Sequence, residues 1–246
     1  VVNMRQIPES DFHIEINYEK GSDSPSRVFQ TMYELIEEFQ NLDKSLIGSI
    51  DSKIEPILLL EDIETGSITS YFSQFLKSID DDAIKDISIR KLIGAYLVKG
   101  KYRIINFLDK KTTVTNIKEI KELQEDLLNV AKETNVKWLP YYTPMDTRIL
   151  LEHIYLIQLS LSHLDKTKDN AHYIVGKDIV KFNLEFNISP ETLKELTIKD
   201  EIISNNELIM KVKKPDYLGD SKWEFRFGDR NIEVKLSDKD WLLKFQ

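Results

Sequence analysis

The chain opens with a stretch in which apolar and polar residues alternate. Residues 12–18 follow the period of a strand that buries one face. After a loop ending in Ser24-Pro25, a good N-cap followed by a residue suited to the first helical turn, the period becomes helical. The apolar stripe of this helix extends from Val28 to Phe39. The apolar run 57–60 then predicts a buried strand, so the chain begins strand–helix–strand.

Four helical stretches are predicted after the second strand. The first has apolar residues at helical spacing over 68–79, and Asp80-Asp81-Asp82 separates it from the second, over 92–108. The third covers 117–130. The fourth, from Asp146 to Leu164, is apolar on nearly all sides, which is typical of a central helix. The simplest packing of four such stretches is a helical bundle.

The character of the sequence changes after residue 164. Residues 165–171 are polar and are predicted to form a linker. Beyond the linker the pattern predicts strands over 182–188, 208–212, 223–227 and 232–236, with short helices from Ser189-Pro190 and over 241–245. The predicted fold is therefore α+β. An N-terminal domain, residues 1–165, combines the strand–helix–strand opening with the helical bundle, and a C-terminal domain, residues 172–246, is a small antiparallel sheet with short helices.

Composition limits the classes of protein to consider. The 246 residues are 41% hydrophobic, include no cysteine and have a net charge of −8. This is enough apolar material for a core, and it excludes disulfides and thiolate-bound metals. No apolar run is long enough to span a membrane, so a cytoplasmic protein is expected. The glycines are scattered and the histidines lack metal-ligand spacing, so no cofactor or metal is expected. The acidic run Glu61, Asp62 and Glu64 is expected to be an exposed turn rather than a cation site.

One basic cluster interrupts the acidic chain. Its five cations are Lys99, Lys101, Arg103, Lys110 and Lys111, and aromatic residues lie among them. Such a cluster can contact the phosphates of RNA or DNA. It also fits the solvated face of a helix beside an acidic neighbour. The sequence leaves both interpretations open.

Pro215-Asp216 followed by Glu233-Val234-Lys235 resembles the loose motif of the PD-(D/E)xK nucleases. The resemblance implies that Asp216 and Glu233 share a divalent metal, while Lys235 helps to activate water. This nuclease chemistry competes with a purely structural account of the same residues.

The structural account is a β-hairpin made from strands 223–227 and 232–236. A turn at Asp229-Arg230 would place Arg226 opposite Glu233, and opposite-charge pairs across strands stabilise a sheet face. The competing register, with its turn at Gly228-Asp229, would place Glu224 opposite Glu233. We therefore expect the first register and no metal site.

Arg148 and His153 have R-x4-H spacing at the start of the fourth predicted helix. This resembles the HEPN ribonucleases, which are helical bundles with this motif in their last main helix. The resemblance implies a metal-independent endoribonuclease in which His153 acts as acid and base on the RNA 2′-hydroxyl and Arg148 binds the scissile phosphate. Ile149 departs from the family, where a polar residue usually follows the arginine. Residues five positions apart diverge by roughly 140° around a helix, so we expect no common cleft.

The leading functional hypothesis is a non-catalytic interaction or adaptor protein in the cytoplasm. Abundant Ile, Lys, Asn and Asp fit an AT-rich bacterial genome, which suggests a bacterial multi-protein system such as phage defence or a mobile element. A partner protein or self-association is expected, and RNA is the other partner class. The alternative is a HEPN-like endoribonuclease that uses Arg148 and His153.

Overall fold

The computed structural model describes most of the chain and divides it into two compact units. The described residues are 11–19, 24–48, 50, 54–64, 67–78, 87–139, 142–199, 210–214, 222–227 and 230–234. The first unit is Val1–Asp200 and the second is Glu201–Gln246. Helices and antiparallel sheets are both present, which confirms the predicted α+β class.

The first unit combines one sheet with a layer of helices. Its elements in chain order are β1 (Phe12–Asn17), α1 (Ser26–Gly48), β2 (Ile54–Glu64), β3 (Ile68–Ser78), α2 (Ile87–Asp109), α3 (Ile117–Glu133), α4 (Thr147–Leu161), β4 (Asn170–Val175), β5 (Asp178–Lys181) and α5 (Pro190–Lys199). The sheet has the order β2-β3-β1-β4-β5, and every neighbouring pair of strands is antiparallel. The central strand β1 therefore pairs with strands from both halves of the chain.

The alternating pattern of β1 explains how the sheet meets the helices. Phe12, Ile14 and Ile16 are buried, while the residues between them are half-buried. Helices α1 and α2 pack on the buried side, and Phe12 contacts the rings of Phe39 and Tyr173 there. The predicted opening of strand, helix and strand is confirmed as β1, α1 and β2.

The prediction of the first of the four helices is wrong, because residues 68–78 form the strand β3. Its buried positions Phe72 and Leu76 are four residues apart, a spacing that fits both a helix and a strand. Pairing decides between the two, since β3 lies between β1 and β2 and its Phe72 stacks on Phe12. The other three predicted helices are confirmed as α2, α3 and α4. The acidic run 80–82 lies outside the described residues.

The predicted linker 165–171 is part of the first unit. Asp169 is buried and accepts hydrogen bonds from the Arg27 guanidinium at 3.0 and 2.9 Å, and strand β4 begins at the next residue. Strand β4 pairs with β1, so this segment leads directly into the same sheet as the first strand of the chain. The two compact units divide after residue 200. The sequence predicted this boundary between residues 165 and 172.

Residues 182–188 do not form the predicted strand. Phe182, Phe186 and Ile188 are buried as the alternation implies, but the backbone here is irregular. The side chain of Asn183 donates to the carbonyls of Leu108 and Lys111 at the end of α2. The segment is therefore tied to the loop after α2 instead of to a neighbouring strand.

The second unit contains a three-stranded antiparallel sheet. Its strands are β6 (Lys211–Lys214), β7 (Trp223–Phe227) and β8 (Arg230–Val234), in the order β6-β7-β8. Trp223 and Phe225 are buried and their rings stack 6.1 Å apart. The predicted helix 241–245 lies outside the described residues.

The predicted hairpin register is wrong. Glu224 opposes Glu233, and Arg226 opposes Asn231, so the register is the one rejected on grounds of like charge. Lys213 lies 3.5 Å from Glu224 and Lys222 lies 3.6 Å from Glu233, so neighbouring cations offset the repulsion. This register also leaves two residues, with glycine first, between β7 and β8, a composition that favours two-residue hairpin loops.

Candidate functional site

The structure separates the two residues of the R-x4-H motif. Asp146 caps α4 by accepting a hydrogen bond from the backbone N–H of Arg148 at 2.8 Å. The Arg148 side chain is 57% exposed, with its Nε 3.4 Å from Asp146. His153 is buried on the opposite side of the helix, against α1. The prediction that these side chains do not converge is confirmed.

His153 belongs to a polar group that the sequence analysis did not find. Its Nδ1 lies 2.5 Å from Oε1 of Glu38, and its Nε2 lies 2.8 Å from Oγ of Ser45. Glu38 and Ser45 are seven residues apart on α1, so they share one face of that helix. Burial raises the pKa of Glu38 above its ordinary value, and the contact with His153 opposes the rise.

The order carboxylate–imidazole–hydroxyl is that of a hydrolase triad, but the surroundings differ from those of a hydrolase. Acyl transfer needs hydrogen-bond donors aimed at a developing oxyanion, beside a cleft that admits substrate. Ser45 lies within α1, where backbone N–H groups donate to carbonyls of the helix itself. Neither cavity described below is lined by Glu38, Ser45 or His153. The arrangement satisfies the polar groups where α1 meets α4.

The five cations of the basic cluster do not form one surface. Lys101 is fully buried, so the prediction is wrong for this residue. Lys99 and Arg103 lie 3.6 and 3.8 Å from Glu133 on α3. Lys111 pairs with Glu119 at 2.7 Å and lies over the ring of Phe107, while Lys110 is exposed. Neighbouring carboxylates of α3 thus neutralise much of the cluster.

Lys101 instead forms a buried ion pair with Asp43. Its ammonium donates to Oδ1 of Asp43 and to Oε1 of Gln74 at 3.2 Å. It also lies 5.2 Å from the ring centroid of Phe12 and 6.0 Å from that of Phe39. The ammonium is therefore held by one carboxylate, one amide and two aromatic faces.

Burial disfavours the charged form of both residues of this ion pair. Burial lowers the pKa of Lys101 and raises that of Asp43, while their mutual attraction opposes both changes. Oδ2 of Asp43 and Nε2 of Gln74 are buried, and neither makes a hydrogen bond of ordinary geometry with another described residue, although the two side chains interact. Such unsatisfied polar atoms are uncommon inside proteins and mark this cluster as unusual.

Two cavities adjoin these elements. The larger, of about 440 Å³, lies between α2 and the sheet. It is lined by Asp11, Gln74, Leu76, Arg90, Lys91, Gly94, Ala95, Val98, Lys99 and Val175. Gln74 therefore connects this cavity to the Lys101–Asp43 pair. The smaller cavity, of about 130 Å³, lies beside Asp109 and Asp169.

The residues of the nuclease-like motif show no metal site in the part of the chain that the structure describes. Glu233 is exposed beside Lys222, whereas Asp216 and Lys235 lie outside the described residues. Glu61 and Asp62 are exposed on β2, which extends the strand through the predicted turn. Within the described ranges, no group of three or more His, Asp or Glu side chains is placed to hold a metal ion.

The exposed large apolar side chains of the first unit include two on α1 and two on β2. Phe29 and Tyr33 are 66% and 63% exposed on α1, and Leu60 and Ile63 are 51% and 55% exposed on β2. Phe29 and Tyr33 are four residues apart and so share a face of their helix. We call these four residues the α1–β2 surface.

Comparison with other proteins supplied no relative. No family model matches the chain, and neither the curated proteins nor the solved structures contain a match. No helix in the described part of the chain combines the length and apolarity that crossing a membrane requires.

Proposed function

We propose that this chain is a non-catalytic interaction protein that binds a partner protein through the α1–β2 surface. The observation that carries the proposal is the exposure of four large apolar side chains on two elements that contact each other. Single exposed apolar residues are ordinary, but groups of them mark interaction sites.

The sheet places these side chains on one side. Leu60 pairs with Phe72, and paired residues of antiparallel strands point to the same face. Phe72 faces the helices, so Leu60 does as well. Ile63 pairs with Ser70, which in turn pairs with the buried Ile14. Leu60 and Ile63 therefore both lie on the side of the sheet that α1 covers.

Strand β2 adds a second means of binding. It is one edge strand of the five-stranded sheet, so one row of its backbone groups has no partner strand among the described residues. An exposed edge can add a strand from another chain. The exposed Glu61 and Asp62 favour a partner with basic residues beside its apolar ones. A basic partner satisfies this charge preference better than a second copy of this chain, whose net charge is −8.

The cellular setting belongs to the proposal as well. The composition rich in Ile, Lys, Asn and Asp supports a bacterial multi-protein system, and the lack of cysteine is compatible with the cytoplasm. The ribonuclease alternative has less support, because Arg148 is exposed while His153 is buried.

Site-specific photocrosslinking in cells tests the proposal. A benzophenone amino acid is placed at Tyr33, at Ile63 or, as a control, at the exposed Glu122 of α3. We expect the first two positions to give the same crosslinked species and the control to give none. Introducing Phe29→Ser should weaken that species. Equal products from all three positions, or none from Tyr33 and Ile63, would contradict the proposal, and the mass of the product identifies self-association.

A further inference from the structure

The 440 Å³ cavity between α2 and the sheet has the size of a small-molecule site. Pockets for small ligands usually measure about 300–1,000 Å³. Leu76 and Val98 are buried and give the cavity apolar walls, and Val175 adds to them from β4. An apolar ligand body would therefore find a suitable surface.

Gly94 and Ala95 explain why this space is open. Both lie on the face of α2 that lines the cavity, and neither carries a side chain large enough to fill it. Glycine is unfavourable inside a helix relative to alanine. A Cβ added at Gly94 would meet no atom within 4 Å, so close packing does not require a glycine here. Gly94 therefore borders open space that a larger side chain would enter.

The polar side chains around the cavity favour an anion. Arg90 and Lys91 are exposed, and neither makes an ion pair with another described residue. Lys99 adds a third cation, although it lies 3.6 Å from Glu133. Asp11 is the single acid among the lining residues described, and its Oδ2 accepts a hydrogen bond from the backbone N–H of Gln74 at 2.7 Å. Cations thus outnumber acids here in a chain that is acidic as a whole.

We propose that this cavity binds a small organic anion with an apolar body. The anionic head would lie at Arg90 and Lys91, and the apolar body would occupy the space beside Gly94, against Leu76 and Val98. Gln74 also lines the cavity, and its buried Nε2 makes no hydrogen bond of ordinary geometry with another described residue, although the side chain contacts Asp43. The site is separate from the α1–β2 surface, so it goes beyond the proposed interaction function.

Binding of 8-anilinonaphthalene-1-sulfonate, an anionic amphiphile that fits the proposed chemistry, provides the test. Its affinity and stoichiometry are measured by calorimetry and fluorescence, and the neutral N-phenyl-1-naphthylamine serves as a matched probe without charge. We expect one binding site on the parent protein. Gly94→Leu, which fills the cavity, should weaken both probes at least about tenfold.

Charge reversal at Arg90 and Lys91 distinguishes binding of the anionic group of the ligand from binding of its apolar part. The double variant Arg90→Glu, Lys91→Glu should weaken the sulfonate about five- to tenfold and leave the neutral probe unchanged, because it alters only the attraction for the anion. These side chains are exposed, so the variant keeps the proposal testable if Gly94→Leu does not fold. Cooperative melting of each variant establishes that it is folded.

The α1–β2 surface supplies the control for unspecific binding. In Phe29→Ser, Tyr33→Ser, the sulfonate should bind as it does to the parent. Loss of binding in this control with retention in Gly94→Leu would overturn the cavity proposal and leave the interaction surface standing. Absence of binding to the parent, or equal effects of charge reversal on both probes, would also overturn it.

Discussion

The buried Lys101–Asp43 pair yields the sharpest prediction about stability. Lys101→Met keeps an apolar stem against the rings of Phe12 and Phe39 but removes the ammonium. Asp43 would then remain in the core without its cation, and its Oδ2 makes no hydrogen bond of ordinary geometry with another described residue. Removing one member of a buried ion pair typically costs about 3–5 kcal/mol. This is a large fraction of the roughly 5–15 kcal/mol that holds a protein folded.

The penalty should depend on pH in a defined direction. Burial already raises the pKa of Asp43 above its ordinary 3.8, and loss of Lys101 raises it further. Above pH 3.8 the unfolded chain releases a proton that the native variant retains, so the variant loses stability as the pH rises towards the raised pKa. The destabilisation measured at low pH should therefore be smaller than at neutral pH.

A double-mutant cycle provides the assay. Lys101→Met, Asp43→Leu and the double variant are compared by thermal unfolding, followed through the helical signal, since every described helix lies in the first unit. Each single variant should lower Tm by roughly 6–20 °C. The double variant should recover most of the loss, because it leaves no charge buried. A double variant as unstable as the sum of the two single variants would refute the argument.

Three further outcomes are expected. Asp169→Asn should cost about 2–4 kcal/mol by thermal unfolding, because this carboxylate holds Arg27 and two backbone N–H groups. Burial opposes ionisation of Asp169, but these hydrogen bonds outweigh burial and lower the pKa of Asp169 below 3.8. The parent protein therefore loses this stabilisation as the pH falls below 3.8, whereas the Asn variant does not. Burial raises the pKa of Glu38, so the free energy of unfolding of the parent should fall relative to that of Glu38→Gln as the pH rises above 4.5. The same pH dependence of the unfolding free energy in both proteins would contradict this. Purified protein and its His153→Ala variant should both leave RNA uncleaved, whereas cleavage that disappears in the variant would establish the ribonuclease.

The sequence predicted most elements whose period is unambiguous. Helices α2, α3 and α4 have long apolar stripes, and β1 alternates strictly. It failed at β3, where apolar residues four apart satisfy two periods and only pairing with β1 and β2 settles the choice. The prediction also failed at the hairpin of the second unit, because Lys213, which offsets the charge of Glu224, lies on β6, outside the two strands that were compared.

The candidate sites were harder to predict than the fold. The polar residues Glu38 and Asp43 lie on α1 among buried apolar neighbours, which was the available signal. Their partners His153 and Lys101 are more than fifty positions away, so no local pattern connects them. From the sequence, Lys101 was predicted to lie on the surface because lysine is rarely buried. Only the tertiary structure brings the Asp43 carboxylate and the Gln74 amide oxygen to its ammonium in the core.

The position of β1 has a consequence for the synthesis of the chain. Ile14 pairs with Tyr173, about 160 positions later, and contacts so distant in sequence form slowly. A ribosome that makes about 5–20 residues per second needs roughly 8–30 seconds to synthesise the residues between β1 and β4. Until then β1 can join β3, but its other edge stays open beside buried side chains such as Phe12. Nascent chains that stall before Asn170 should therefore be the species that chaperones engage most strongly.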